Sequence, residues 1–313
     1  MRFLVTGGAG FIGSSLCKKL VANNNEIIVF DNFSTVSGKN LDSIKNNITI
    51  IKGDCLNRSE LSSALNDVDV VFHLAANPEV RTELSNSINC FNQNVKATFE
   101  VCEAIKDSSV HTFVFASTSA IYGQLETMPM TLSLGENLPI SFYGASKLAS
   151  ESLVSAYSHN YNKKTIIVRL ANVVGSHSNH GVTYDFVNKL RNDPKRLIVM
   201  GNGKQKKSYI YIDDVISAIE IILNKASSKL NIFNIGSADQ ITVDEIAQIV
   251  IKTMKLDASI EHHNTTNNGA GWLGDLTNVL LDISKTLELG WSPKYSSKEA
   301  IELTAKKTIS QNN

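Results

Sequence analysis

The chain has 313 residues, of which 42% are hydrophobic, enough to bury a large domain with a smaller lobe. Thirty basic residues balance thirty acidic ones, so bulk charge indicates neither a nucleic-acid nor a membrane-surface partner. The four cysteines lack metal-ligand spacing, and we expect reduced, mostly buried thiols and no metal site. The first predicted strand begins at residue 2 and no apolar run is long enough to span a membrane, so we expect a soluble, cytoplasmic protein.

A glycine-rich turn follows the first predicted strand, residues 2–5. It reads Thr-Gly-Gly-Ala-Gly-Phe-Ile-Gly and leads into apolar residues at helical spacing. Gly7 permits the tight turn, Gly10 lets a pyrophosphate approach the backbone, and Gly13 lets the helix pack closely on the strand. Strand, turn and helix in this order predict a dinucleotide site.

A second predicted strand, residues 26–31, ends in the carboxylate of Asp31. A ribose-binding acid belongs near this position, where it accepts hydrogen bonds from the adenosine ribose and repels a 2′-phosphate, so NAD is favoured over NADP. Further apolar runs alternate with helical patterns, as in a doubly wound parallel sheet. These runs are residues 48–51, 68–74, 112–116 and 165–170.

The sequence therefore predicts an α/β Rossmann fold with a smaller C-terminal substrate-binding lobe. We place the NAD-binding domain at residues 1–170, with residues 208–237 returning to it. The lobe takes residues 171–207 and 238–313.

Two further motifs carry groups suited to proton transfer. Tyr143 and Lys147 are four residues apart, so on a helix they share a face and the ammonium can stabilise the phenolate. This lowers the pKa of a tyrosine from about 10 toward working pH, although plain surface helices also show this spacing. Ser117 and Thr118 follow a predicted strand at the sheet edge where ligands bind, and a strand-end turn is the alternative.

These motifs together resemble the extended short-chain dehydrogenases/reductases, specifically the nucleotide-sugar epimerase branch typified by UDP-glucose 4-epimerase. The resemblance runs through essentially the whole chain. It also covers residues 31–34, 53–54, 73–76, 94–95, 169–172, 205–211, 233–236 and 274–275. Residues 73–81 together with residues 269–272 are particularly similar to archaeal-type 4-epimerases.

The resemblance implies an NAD-dependent isomerase that epimerises a UDP-hexose by transient oxidation at C4. Tyr143 would take the proton from the sugar 4-hydroxyl, Thr118 would steady the oxygen, and Lys147 would bind the nicotinamide ribose and tune Tyr143. Other implied cofactor contacts are Gly7, Gly10, Phe11, Ile12, Gly13, Asp31, Asn32, Ser34, Asp54, Cys55, Leu74, Ala75, Ala76, Asn94, Ser117 and Leu170. Implied substrate contacts are Thr118, Asn172, Gln205, Lys207, Trp272, Asp275 and Val279.

The resemblance also implies a homodimer built from the helix near residues 94–106 and the helix that carries Tyr143. Val95, Phe99, Leu148 and Leu153 are apolar residues compatible with this interface, and packing within one chain explains them almost as well.

Three positions depart from the family pattern. Lys207 and Trp272 stand where arginines commonly bind the diphosphate, and lysine keeps the charge but loses the bidentate fork. Another basic residue such as Lys206 could substitute, and residues 204–207 could equally be a solvated basic loop. Val279 stands where a bulky aromatic crowds the sugar 2-substituent, so we expect N-acetylhexosamine nucleotides to be tolerated as well as hexoses.

Several other activities stay open. A 4,6-dehydratase shares the fold, but its family has Asp-Glu after the threonine where this chain has Ser119 and Ala120, which disfavours dehydration. Asp31 disfavours a ketoreductase that uses NADPH. A uronate or N-acetylhexosamine epimerase and a decarboxylase remain alternatives. A regulator that senses NAD without chemistry would keep the fold but usually loses the tyrosine or the lysine.

Overall fold

The computed structural model describes residues 1–79, 86–133, 137–178, 180–264 and 266–311. Val80 and Arg81, part of the segment similar to archaeal-type epimerases, lie outside the described residues. The strands are β1 (Arg2–Thr6), β2 (Glu26–Asp31), β3 (Thr49–Lys52), β4 (Val70–His73), β5 (Thr112–Thr118), β6 (Lys164–Leu170), β7 (Asn172–Val174), β8 (Arg196–Met200), β9 (Lys206–Lys207), β10 (Tyr209–Tyr211), β11 (Leu230–Ile235), β12 (Ile241–Thr242), β13 (Ser259–His263) and β14 (Asn278–Val279). The helices are α1 (Phe11–Ala22), α2 (Arg58–Ala64), α3 (Ser87–Cys90), α4 (Ala97–Lys106), α5 (Phe142–Tyr161), α6 (Val182–Asn192), α7 (Ile212–Lys225), α8 (Val243–Thr253), α9 (Ser284–Leu287) and α10 (Ser297–Gln311).

Between α3 and α4 the chain continues as a π-helical segment, Phe91–Lys96. Among the described helices, none combines the length and the apolar character needed to cross a membrane.

A seven-stranded sheet has the order β11-β6-β5-β4-β1-β2-β3. The pairs β1–β2, β2–β3, β1–β4 and β4–β5 are parallel. The central strands are largely apolar because helices cover both faces of such a sheet, and Phe3, Leu4 and Val5 of β1 are fully buried. The predicted doubly wound sheet is therefore confirmed. Its order reverses between β1 and β4, and such a switch point opens a crevice at the carboxyl ends of the strands.

The chain forms two compact units. The first unit is Met1–Ile121, Phe142–Arg169 and Ile222–Phe233. The second unit is Tyr122–Ser141, Leu170–Ile221 and Asn234–Asn313.

This division differs from the boundaries expected from the sequence. Residues 122–141 belong to the second unit, and the segment that returns to the first unit is 222–233 rather than 208–237. Strand pairing explains the shorter return, because β10 pairs with β7 and so keeps residues 209–211 in the second unit. Tyr122 likewise bonds within the second unit, since its hydroxyl donates to the Asn234 side chain at 2.9 Å.

Candidate active site

The glycine turn between β1 and α1 is held by close backbone contacts. Gly7 has a φ of +67°, and a Cβ there would lie 2.7 Å from the amide nitrogen of Ala75. A Cβ on Gly13 would lie 2.3 Å from the carbonyl oxygen of Gly7, so only glycine lets α1 approach the turn this closely. Helix α1 begins at Phe11, where Gly10 offers no capping side chain. The first-turn amides therefore suit an anion such as a pyrophosphate, as the sequence predicts.

Asp31 lies at the end of β2 beside this turn. Its Oδ2 accepts a hydrogen bond from the Ala9 amide at 3.0 Å, and its Oδ1 accepts one from the Phe33 amide at 2.8 Å. The two bonds fix the carboxylate, and each oxygen keeps a further lone pair that can accept from a ribose hydroxyl.

The loops after β2 and β3 are also joined. The amide nitrogen Nδ2 of Asn32 donates to Asp54 Oδ2 at 3.2 Å, and the backbone amide of Ser34 donates to Asn32 Oδ1 at 3.0 Å. Cys55 is buried, and burial raises the pKa of its thiol to about 12. The structure thus brings together Asn32, Ser34 and Asp54, which the resemblance implies as cofactor contacts, whereas Cys55, implied with them, is buried.

The segment after β4 lies against the glycine turn. The amide of Leu74 donates to the carbonyl of Thr6 at 3.1 Å, and the amide of Ala75 donates to Thr6 Oγ1 at 3.3 Å. Ala76 follows, half-buried. His73, just before them, is fully buried with its two ring nitrogens 2.7 and 3.0 Å from the hydroxyls of Thr6 and Thr98. Burial lowers the pKa of His73 to about 3, so it is neutral and structural.

Asn94, expected from the resemblance as a cofactor contact, has protein partners on both atoms of its side-chain amide. It is buried in the π-helical segment, where its Oδ1 accepts from the Asn77 amide at 2.7 Å. Its Nδ2 donates to the Asn77 carbonyl at 3.2 Å and to Ser146 Oγ at 2.9 Å. The side chain therefore fastens the segment after β4 to α5. Sequence could not show this, because the partners are distant along the chain.

The proton-transfer candidates meet where α5 begins and β5 ends. Tyr143 is half-buried in the first turn of α5, and Lys147 lies one turn later on the same face. The ammonium of Lys147 donates to the carbonyl of Ala116 at 3.0 Å and lies 4.9 Å from the centre of the Phe115 ring. Because these partners belong to β5, Lys147 ties the helix to the strand that ends in Thr118.

Thr118 and Ser117 have different surroundings. Thr118 Oγ1 accepts from the Ala120 amide at 3.2 Å, which fixes the side chain. Ser117 Oγ is buried, and it has no hydrogen-bond partner among the described residues. A buried hydroxyl of this kind is suited to a ligand contact.

The environment of Lys147 perturbs its ammonium. Burial lowers the pKa of its ammonium to about 8, while the nearby Cys90 and Glu151 act in the opposite direction. Part of the population is therefore neutral at slightly alkaline pH. The positive charge of Lys147, which would stabilise a Tyr143 phenolate, therefore depends on the groups around it.

The substrate candidates lie in the second unit, except for Thr118. Asn172, on β7, donates from Nδ2 to the carbonyl of Ser208 at 3.1 Å. Gln205 is buried and donates to the carbonyl of Met200 at 3.1 Å. Leu170, expected as a cofactor contact, is also assigned to this unit and is buried at the end of β6.

Lys207 forms an ion pair that the neighbouring sequence does not predict. Its ammonium donates to Asp275 Oδ1 at 2.5 Å and lies 5.5 Å from the centre of the Trp272 ring. Val279 is buried on β14, directly opposite Lys207 on β9. The structure thus brings four predicted substrate residues together, but the charge of Lys207 is already neutralised by Asp275.

Sequence reasoning missed a buried pair in the first unit. Glu151 on α5 and Arg169 on β6 are joined by hydrogen bonds from the guanidinium to both carboxylate oxygens. The available signal was the spacing, because Glu151 follows Lys147 by four residues and so shares its helical face.

Comparisons with known proteins identify the family of this chain. Residues 3–236 match the model of the NAD dependent epimerase/dehydratase family. The chain is 31% identical, over 96% of each chain, to an uncharacterised UDP-glucose epimerase of Bacillus subtilis. It is similar to the crystal structure of a UDP-galactose 4-epimerase, with a TM-score of 0.90 and 36% identity over 99% of both chains.

A further similar structure is UDP-glucuronic acid 4-epimerase from Bacillus cereus, in complex with UDP-glucuronic acid and NAD. It has a TM-score of 0.89 and 29% identity, and the match covers 99% of this chain and 100% of that one. The chain therefore belongs to the NAD-dependent epimerase/dehydratase family, within the extended short-chain dehydrogenases/reductases, and is an NAD-dependent enzyme of nucleotide sugars.

Proposed function

We propose that this protein catalyses the 4-epimerisation of a UDP-hexose and so interconverts UDP-glucose and UDP-galactose. The observation that carries the proposal is the placement of Tyr143 and buried Lys147 on one face of α5, tied to the strand that ends in Thr118. The similarity to a UDP-galactose 4-epimerase over nearly the whole of both chains supports the choice of substrate.

The first unit has the features needed to hold NAD. The turn at Gly7 and Gly13 leaves no room for a Cβ, which suits a close backbone approach to the pyrophosphate. Asp31 would accept from the adenosine ribose, and the buried hydroxyl of Ser117 would find a partner in the cofactor. When bound, NAD supplies a hydride acceptor that takes the hydride from C4 of the sugar and returns it.

Side chains of this protein would carry out the proton transfer. The Tyr143 phenolate would remove the proton of the sugar 4-hydroxyl, and the resulting phenol would return it after the sugar has turned over. Lys147 would stabilise the phenolate by its charge, and Thr118 would hydrogen-bond the oxygen as it becomes a carbonyl. Because the phenol of Tyr143 both removes and returns the proton, no additional acid or base is needed.

We further propose that Asn172 and Lys207 contact the nucleotide-sugar diphosphate. An ammonium has three donors, and Asp275 takes one from Lys207, which leaves donors for a phosphate oxygen. Since Asp275 neutralises the charge, the attraction should be weaker than that of an unpaired arginine.

We also propose a homodimer. Ile88 and Phe91 are exposed apolar residues between β4 and α4, and Phe99 on α4 is partly exposed as well. A second copy that packs against these side chains would remove apolar surface from water.

The proposal is tested by incubating the purified protein with UDP-galactose, first without cofactor and then with NAD, while following the formation of UDP-glucose. Conversion supports a UDP-hexose 4-epimerase. If NAD binds but neither UDP-hexose reacts, UDP-glucuronic acid and UDP-N-acetylglucosamine distinguish the other epimerases. Binding of NAD with no epimerisation of any of these nucleotide sugars would contradict the proposed 4-epimerisation.

A further inference from the structure

The first unit contains a buried ion pair that the proposed proton transfer does not use. Arg169 on β6 donates from Nη2 to Glu151 Oε2 at 2.7 Å and from Nε to Oε1 at 3.1 Å. The residues are only 5% (Glu151) and 6% (Arg169) exposed. Because removing two charges from water is costly, such a pair adds little stability beyond an apolar pair of similar volume. Its presence here suggests a role in the site.

Glu151 extends a row of polar side chains along α5. Tyr143, Lys147 and Glu151 are spaced by four residues, so they lie on one face of the helix in successive turns. Lys147 is 3% exposed, and the hydrogen bond that holds its ammonium goes to the carbonyl of Ala116, which has no net charge. Glu151 is thus the carboxylate whose negative charge reaches this ammonium.

The other ionisable groups around Lys147 come from elements packed on α5. His73 on β4 is neutral because burial lowers its pKa to about 3. Cys90 on α3 has a thiol, and Arg169 on β6 carries a second positive charge. Among the described residues, the fixed charges in this part of the first unit are then those of Lys147, Arg169 and Glu151. Without the Glu151 carboxylate, the buried positive charges of Lys147 and Arg169 would repel each other, and Lys147 would release its proton more readily.

We propose that Glu151 is a positioning residue for the reaction, whose carboxylate, held in place by Arg169, keeps the buried ammonium of Lys147 charged beside Tyr143. The inference rests on the proposed function of Tyr143 and Lys147. It assigns Glu151 a role through Lys147 and no contact with substrate or cofactor.

Direct titration of Lys147 in the NAD-bound protein tests this. Lysine labelled with ¹³C at Cε reports its protonation by NMR, and a Lys147→Met variant assigns the signal. We expect Glu151→Gln to lower the titration midpoint of Lys147 by about half a pH unit or more. The high-pH limit of turnover should move down by the same amount. In Glu151→Gln/Arg169→Met, which removes both charges, the midpoint should return toward that of the wild type.

A purely structural role would give another pattern. Glu151→Gln would then lower turnover equally at every pH and leave the lysine midpoint unchanged, which overturns the proposal. If Glu151→Gln fails to fold because Arg169 is left unpaired, Glu151→Asp keeps the charge but withdraws it by one methylene. That variant should lower the midpoint by a smaller amount, and an unchanged midpoint again overturns the proposal. Since the titration needs no substrate, it is informative even if UDP-galactose is not converted.

Discussion

At the scale of single residues, the proposed chemistry depends on the phenol of Tyr143. We expect Tyr143→Phe to reduce turnover by about 10²–10⁴-fold while NAD remains bound, because the variant keeps the ring but loses the proton acceptor. Steady-state rates and the NAD content of the purified protein measure the two effects. Tyr161→Phe, at the other end of α5, is the matched control and should keep the wild-type rate. A Tyr143→Phe rate within a few-fold of wild type would rule out the assignment.

Deprotonation of Lys147 should change the stability of the protein and its turnover in opposite directions. Burial lowers the pKa of its ammonium from 10.5 to about 8, so between these pH values the folded protein has released a proton that the unfolded chain still holds. The free energy of unfolding should therefore rise with pH across this window, by roughly 3 kcal/mol, while turnover falls as the cation is lost.

Denaturant unfolding at several pH values measures the free energy of unfolding. Lys147→Met should lack this rise relative to wild type, because it has no proton to release. Parallel pH curves for the two proteins would show that Lys147 does not titrate in this range.

At the scale of elements, substitution of Gly13 and substitution of Gly10 in the glycine turn should have different effects. Gly13→Ala places a Cβ 2.3 Å from the Gly7 carbonyl, so we expect α1 to shift and both the stability of the apo protein and NAD binding to fall. Gly10→Ala is the matched comparison, because its Cβ meets the same carbonyl at 3.2 Å and its φ of −68° suits alanine.

The comparison separates support of the fold from binding of the cofactor. Gly10→Ala should keep most of the stability of the apo protein and lose affinity for NAD, because the methyl group occupies space that the pyrophosphate needs. Thermal unfolding without cofactor and NAD titration measure the two quantities. Equal stability of Gly13→Ala and Gly10→Ala would contradict the close-packing explanation.

At the scale of the whole molecule, the proposed homodimer can be separated from general surface hydrophobicity. Phe91 is 51% exposed on the surface proposed as the interface, whereas Leu273, in the second unit, is 71% exposed. We expect Phe91→Glu to give a monomer and Leu273→Glu to leave the dimer intact, because only the first places a charge in the interface. Sedimentation velocity measures both. A wild type that sediments as a monomer would contradict the proposal.

Much of this protein could be read from local sequence. The strands of the first unit, the glycine turn and the acid that ends β2 follow from apolar runs, glycine positions and the spacing between them, which are properties of neighbouring residues. The shared face of Tyr143 and Lys147 also follows from helical spacing alone. The family assignment rested on these motifs, and the comparisons confirm it.

Other properties needed the coordinates, because they depend on residues far apart in the chain. Asn94 is hydrogen-bonded to Asn77 and Ser146, and Lys207 is paired with Asp275, and neither contact follows from the residues next to it in the sequence. Residues 209–211 joined the second unit through their pairing with β7. Burial and the pairing of charges arise only when distant segments pack together, and no local pattern encodes which segment will cover a given side chain.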